Sequence, residues 1–125
     1  MSVSQRILIV EDDFLNRVLL CTVLENSGYL VKVVTDGAQV LKKAREFVPN
    51  LITMDINLPN ISGLELIRIL QAHPTLRQIP ILAVTAYVGA SEEDRIRRAG
   101  ARDFLAKPIS IRSFLATVNG LLSGA

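Results

Sequence analysis

The sequence has a single cysteine, Cys21, standing among Leu19, Leu20, Val23 and Leu24. No internal disulfide is available to it, and the thiol reads as a small apolar group in a reducing compartment. A large excess of charge is also missing, because 14 basic residues against 12 acidic ones leave a net charge of +2. That is too little to point to nucleic acid or an anionic membrane without a concentrated patch. No apolar run is long enough to span a bilayer, and the opening Met-Ser-Val-Ser-Gln-Arg leads into a short apolar run closed by acids rather than into a signal peptide. These absences predict a cytoplasmic protein with no nucleic-acid or membrane partner. Low-complexity tracts, linkers and internal repeats are lacking as well. With 125 residues, 50% of them hydrophobic, the chain supplies one core, so residues 1–125 are expected to form one domain.

What is present is an alternation of two patterns. Ile7-Leu8-Ile9-Val10 is a continuous apolar run, and Leu30 to Val34, Leu51 to Met54 and Ile81 to Val84 resemble it, with Asp103-Phe104-Leu105-Ala106 as a weaker fifth. Continuous apolarity suits strands covered on both faces, as in a parallel sheet. Between the runs, Phe14 to Ser27, Ala38 to Phe47, Gly63 to Gln71, Glu92 to Ala99 and Ile111 to Leu122 carry helical spacing. Ser62 with Glu65 and Ser91 with Asp94 have capping-box spacing, while Gly28 and Gly100 follow helices as stops. A strand and a helix repeated five times predict an α/β, doubly wound, five-stranded parallel sheet.

In such a sheet ligands bind beyond the carboxyl ends of the strands. The residues standing there are polar: Glu11, Asp12 and Asp13 after the first strand, Asp55 after the third, Thr85 after the fourth and Lys107 after the fifth. If the first, third and fourth strands are neighbours, Glu11, Asp12 and Asp55 converge, and carboxylates packed together repel unless a cation or proton intervenes. An all-oxygen, anionic site without a Cys or His ligand suits a hard ion such as Mg²⁺, with the backbone carbonyl of Asn57 as a further oxygen. Glycine is absent from the first strand-to-helix loop, Glu-Asp-Asp-Phe, which argues against a phosphate cradle for nucleotides. A metal beside one carboxylate, with a hydroxyl and an ammonium on other strands, suits phosphoryl transfer: Asp55 attacks in line, Lys107 and Mg²⁺ offset charge, and Thr85 hydrogen-bonds a phosphoryl oxygen.

The apolar strand followed by Glu11-Asp12-Asp13, then Met54-Asp55-Ile56-Asn57-Leu58-Pro59, Ser62-Gly63, Val84-Thr85-Ala86 and Lys107-Pro108, resembles bacterial two-component response-regulator receivers, the CheY-like superfamily, over essentially the whole chain. Val10-Glu11-Asp12 and Leu105-Ala106-Lys107-Pro108-Ile109-Ser110 are similar to DivK-like single-domain regulators. The resemblance implies the flavodoxin-like (βα)5 receiver fold with strand order 2-1-3-4-5. It implies that Glu11, Asp12, Asp55 and the Asn57 carbonyl hold Mg²⁺, and that Asp55 accepts phosphate from the phosphohistidine of a histidine kinase or a histidine phosphotransfer protein. Thr85 and Lys107 then read its charge. It further implies a cis Lys107–Pro108 bond, a switch made of Thr85 and Phe104, and a downstream protein target. Such a module is not an enzyme in the ordinary sense, catalysing only its own phosphorylation and dephosphorylation. Leu58 stands where many receivers have Met, and Phe104 stands where Tyr is also common. Without a phenolic hydroxyl, Phe104 is expected to favour an inward position even before phosphorylation.

Other features have plainer readings. Asp13 suits a helix N-cap, His73 before Pro74 suits a surface loop, and Arg95, Arg97, Arg98 and Arg102 suit a solvated face of the fourth helix that also fits an acidic partner. The first helix, with Leu15, Val18, Leu19, Leu20, Val23 and Leu24, is more apolar than one buried stripe needs, and the surplus suits docking to a helical kinase. Two other functions compete. A phosphatase with an Asp nucleophile would need a cap domain and a second acid where Asn57 stands, and a phosphate-independent adaptor would not need the whole pocket. A receiver excised from a larger hybrid kinase or regulator is a further alternative.

Overall fold

Ile7, Leu8, Ile9 and Val10 are all buried, yet they face two different cores, Leu8 and Val10 one, Ile7 and Ile9 the other. That is the period-two geometry of a strand covered on both sides, and it explains why the run is apolar throughout. The computed structural model describes residues 4–87 and 89–123. Five strands and five longer helices alternate: β1 (Arg6–Val10), α1 (Phe14–Asn26), β2 (Leu30–Val34), α2 (Val40–Phe47), β3 (Leu51–Asp55), α3 (Gly63–Ala72), β4 (Ile81–Thr85), α4 (Ala90–Ala99), β5 (Asp103–Ala106) and α5 (Ile111–Leu122). All strand pairs are parallel, in the order β2-β1-β3-β4-β5. The fold expectation, strand order included, is met.

One core gathers Leu8, Val10, Ile52, Met54 and Ala83 of the sheet under Val40, Ala44, Leu66, Ile67, Leu70 and Ile96 of α2, α3 and α4. The other joins Ile7, Ile9, Leu51 and Leu82 to Leu20 and Leu24 of α1 and Phe114 and Val118 of α5. Fully burying such a side chain contributes about 1.5–3 kcal/mol, so the central strands are anchored from both faces and their carboxyl ends form a fixed platform.

Two helix starts differ from the sequence reading. The segment expected from Ala38 divides into a 3₁₀ turn, Gly37–Gln39, and α2, with Asp36 accepting from the Ala38 N–H at 3.0 Å. In α4 the expected Ser91–Asp94 cap is not formed. The helix begins at Ala90 after Gly89, without a side-chain cap, so Ser91 lies inside the first turn and Asp94 pairs instead with Arg98 at 2.9 Å. Ala90 is a strong helix former, and Glu92 and Glu93 complement the positive end of the helix, which replaces what a cap would supply. Ser62 does cap α3, accepting from the Leu64 N–H at 3.1 Å, but Glu65 turns away to Arg68.

Candidate functional site

The strand order sets β1 between β2 and β3, so the chain reverses its direction of winding there and leaves a crevice at the carboxyl edge. Glu11, the residue after β1, is 1% exposed, and Asp55, the last of β3, is 2% exposed. Asp12 beside them is exposed, and the three offer carboxylate oxygens all within 4.8 Å of one another. Lys107, after β5, reaches back to lie 3.2 Å from Asp55 Oδ1 and 3.6 Å from Glu11 Oε1. The Asn57 N–H donates to Asp55 Oδ1 at 2.9 Å, and the Asp13 N–H to Glu11 Oε2 at 3.2 Å.

Burial pushes the Glu11 carboxyl up to about 7, and Asp55 adds to the rise through a hydrogen bond and its charge; the Asp13 N–H and Lys107 oppose it. Two buried carboxylates with one ammonium between them are one positive charge short, and a proton on Glu11 makes up the difference. A divalent cation fits the same deficit. The donor set is all oxygen, two buried carboxylates and one solvent-facing, which suits an ion that keeps part of its water.

The backbone makes this geometry possible. A Cβ at Gly63 would stand 2.6 Å from Ile56 Cα and collide with the Asp55 carbonyl, so only glycine lets the start of α3 close against the loop that carries Asn57. The Gly63 N–H bonds the Ile56 carbonyl at 3.1 Å. On the far side, the Lys107 N–H bonds the Thr85 carbonyl at 2.8 Å, tying the ends of β4 and β5 together. Thr85 is buried, and its hydroxyl oxygen accepts from the Tyr87 N–H at 3.2 Å. The Lys107–Pro108 bond is cis.

The chain matches the response regulator receiver domain family over residues 7–119. It belongs to that family. It is 41% identical over 122 residues to the polar-differentiation response regulator DivK of Brucella ovis, covering 98% of this chain and 99% of that one. Its fold superposes on a CheY-like receiver domain protein from Methanospirillum hungatei with a TM-score of 0.88 at 30% identity, over 98% of this chain and 96% of the other. The receiver domain of a Pseudomonas aeruginosa sensor histidine kinase, solved with a magnesium ion in its active-site cleft, matches with a TM-score of 0.88 at 30% identity, over 97% of this chain and 99% of the other. This is therefore a phospho-accepting receiver of two-component signalling, and receivers are signalling modules rather than ordinary enzymes.

In this receiver Glu11, Asp12, Asp55 and Lys107 come together, Thr85 is joined to Lys107 through its backbone carbonyl while its hydroxyl is engaged by Tyr87, and the remaining candidates stand elsewhere. Asp13 caps α1, accepting from the Asn16 N–H at 2.9 Å. His73 closes α3 at the opposite edge of the sheet, its Nδ1 3.0 Å from the Thr75 hydroxyl. Cys21 is half-buried, and burial pushes its thiol up, with Glu25 adding to the rise. Phe104 is half-buried, neither enclosed nor free: its ring packs on the core while the Arg97 guanidinium lies 5.3 Å from its centroid. Arg97 also pairs with Asp103 at 3.6 Å, so part of the arginine cluster is committed to holding this ring. Sequence reasoning missed that stack, and it missed the Asn57 side chain, whose Oδ1 accepts from the Ala86 N–H at 2.9 Å. Neither partner lies at a helical or strand spacing that periodicity detects. No described helix is long and apolar enough to cross a membrane.

Proposed function

We propose that Asp55 is the phospho-acceptor of this receiver, taking the phosphoryl group from a phosphohistidine of a histidine kinase or a histidine phosphotransfer protein. The observation that carries the proposal is the Asp55 carboxylate itself, which alone of the acids is buried at a strand end with the Lys107 ammonium at 3.2 Å and the Asn57 N–H at 2.9 Å. In the transfer, one Asp55 oxygen forms the new P–O bond as the P–N bond breaks, and the histidine nitrogen leaves with the electron pair. Lys107 offsets the charge on the phosphoryl oxygens, and the Thr85 hydroxyl donates to one of them once it turns from Tyr87.

Glu11, Asp12, Asp55 and the Asn57 backbone carbonyl are the residues to hold Mg²⁺, which when bound supplies positive charge to the phosphoryl oxygens. Residues 1–125 form one receiver domain that works in the cytoplasm, without nucleic-acid or membrane partners of its own, and turns over no other substrate. Phe14, Leu15 and Val18, exposed along α1, support docking of the helical phosphodonor, and the surface of α4, β5 and α5 supports a downstream protein target.

Incubation with Mg²⁺ and acetyl phosphate tests the acceptor directly. Intact-mass measurement should show one added phosphoryl group in the wild type and none in Asp55→Asn. Equal labelling of the variant would refute the assignment.

A further inference from the structure

Asn57 offers more than a backbone carbonyl. Its N–H donates to Asp55 Oδ1 at 2.9 Å, while its side-chain Oδ1 accepts from the Ala86 N–H at 2.9 Å. One residue thus carries a two-step hydrogen-bonded link from the carboxylate on β3 to the loop after β4. Ala86 follows Thr85, whose hydroxyl oxygen is itself engaged by the Tyr87 N–H at 3.2 Å. The Ala86 N–H is therefore a backbone donor within one residue's reach of the Asp55 carboxylate, and a neutral amide oxygen occupies it.

We propose that the Asn57 side chain is a positioning residue that holds the Ala86 N–H in the resting protein and yields it to a phosphoryl oxygen on Asp55. The inference rests on Asp55 being the acceptor. A phosphoryl group brings up to two negative charges and three strong acceptor oxygens. A charged acceptor binds an N–H more strongly than an amide carbonyl does, so in a contest for one donor the phosphoryl oxygen wins. Asn57 is exposed, so its released Oδ1 is taken up by water and no buried polar group is orphaned. The clasp thereby sets how firmly the loop from Thr85 to Tyr87 is kept in its resting position, and the incoming group must exceed that hold to shift the population.

Two variants separate the clasp from mere structure: Asn57→Ala removes the acceptor, and Asn57→Asp keeps one. In metal-free, ¹⁵N-labelled protein the Ala86 amide should exchange with solvent several-fold faster in Asn57→Ala than in wild type. It should stay slow in Asn57→Asp. The Ile52 amide, in the middle of β3, serves as the reference for global stability and should not change. Beryllofluoride with Mg²⁺, a phosphoryl mimic, should bind Asn57→Ala about fivefold more tightly than wild type, the ratio that one net hydrogen bond is worth. Unchanged Ala86 exchange in Asn57→Ala, or mimic affinity equal to or below that of wild type, overturns the proposal. If wild type binds no mimic, or binds it equally after Asp55→Asn, the acceptor assignment falls, and the exchange comparison still decides the clasp.

Discussion

The Lys107 ammonium lies 3.2 Å from Asp55 Oδ1, so this carboxylate has a cation beside it in the absence of metal. Lys107 is only 21% exposed at its side chain, and it stands against Glu11 as well, at 3.6 Å. It therefore stabilises the anionic pocket and at the same time repels a second cation entering it.

These two effects separate in Lys107→Met. Removing the ammonium should tighten Mg²⁺ binding several-fold, because the metal no longer meets a positive charge at the same oxygens. Binding of beryllofluoride should fall at least tenfold, because the charge that faces the phosphoryl oxygens is gone. Titration calorimetry with each ligand checks both signs; weaker Mg²⁺ binding in the variant would contradict the first.

Glu11 should make metal binding at the proposed site depend on pH. Burial, with Asp55 adding to it, pushes its folded carboxyl up to about 7 from the ordinary 4.5. Between those values the folded, metal-free protein holds a proton that the unfolded chain has lost. Glu11's contribution to stability is therefore complete at pH values below the ordinary one and is lost as the pH rises through about 7. If Glu11 is a ligand of Mg²⁺, as proposed, the ion needs the carboxylate and its binding should expel that proton. Apparent affinity should climb by about a factor of ten per pH unit toward 7 and then level off. Glu11→Gln should bind metal weakly and without this slope. An affinity that is flat from about pH 5.5 to about pH 8 would show Glu11 to be ionised throughout.

Asp12 and Asp13 are neighbours with separable tasks. Asp13 caps α1 through the Asn16 N–H at 2.9 Å, so Asp13→Ala should lower stability by about 1 kcal/mol, roughly 4 °C in Tm, and leave Mg²⁺ binding nearly intact. Asp12→Ala removes an exposed carboxylate from the three-acid cluster and should abolish detectable metal binding with little change in the metal-free Tm. Comparable losses of metal by both variants would contradict this division.

How far the sequence was legible follows from what each feature rests on. Strands β1, β3 and β4 were readable because burial on two faces forces unbroken apolar runs, and the pocket was readable because Glu11, Asp55, Thr85 and Lys107 each terminate a strand or directly follow one. The start of α4 was not, because Gly89 and Ala90 open it without a side-chain cap while Ser91 and Asp94 happen to have capping spacing. The Asn57 to Ala86 bond joins loops 29 residues apart, and nothing in local pattern marks it. The same holds for Val48, where a β-branched residue adopts φ 49°, a conformation that its sequence neighbours give no reason to expect.

That backbone offers a test of stability. A β-branched side chain in the left-handed region costs about 1–2 kcal/mol. Val48 is 54% exposed, so replacing it gives up little burial. Its carbonyl is held by the Arg6 guanidinium at 2.9 and 2.7 Å, a contact that no side-chain change removes. Val48→Asn should therefore raise stability by about 1 kcal/mol, since asparagine tolerates this region, and Val48→Gly should gain less because glycine also loosens the unfolded chain. A lower denaturation midpoint in Val48→Asn would mean that the valine side chain packs more usefully than its exposure indicates.

The conformational response to phosphate should be controlled from both sides of β5. Phe104 packs on the core with one face and meets the Arg97 guanidinium, 5.3 Å from its centroid, with the other. Arg97 is braced in turn by Asp103 at 3.6 Å. A cation over an exposed ring is worth about 0.5–1 kcal/mol, so the stack biases the ring toward its half-buried position about two- to fivefold. On the inner side Thr85, fully buried and bonded to the Tyr87 N–H, occupies the neighbouring strand end. On the proposed reading, Thr85 turning to a phosphoryl group should free space, and Phe104 should gain burial by moving in. Arg97→Ala should accordingly shift the ring inward before any phosphoryl mimic is added and reduce the further change that beryllofluoride causes. Thr85→Ala should uncouple the ring from the mimic while leaving the Arg97 stack in place. Aromatic-ring NMR of ¹³C-labelled phenylalanine, with and without beryllofluoride, reads both. A Phe104 signal that responds to the mimic as fully in Thr85→Ala as in wild type would show that the phosphoryl group reaches the ring by another route.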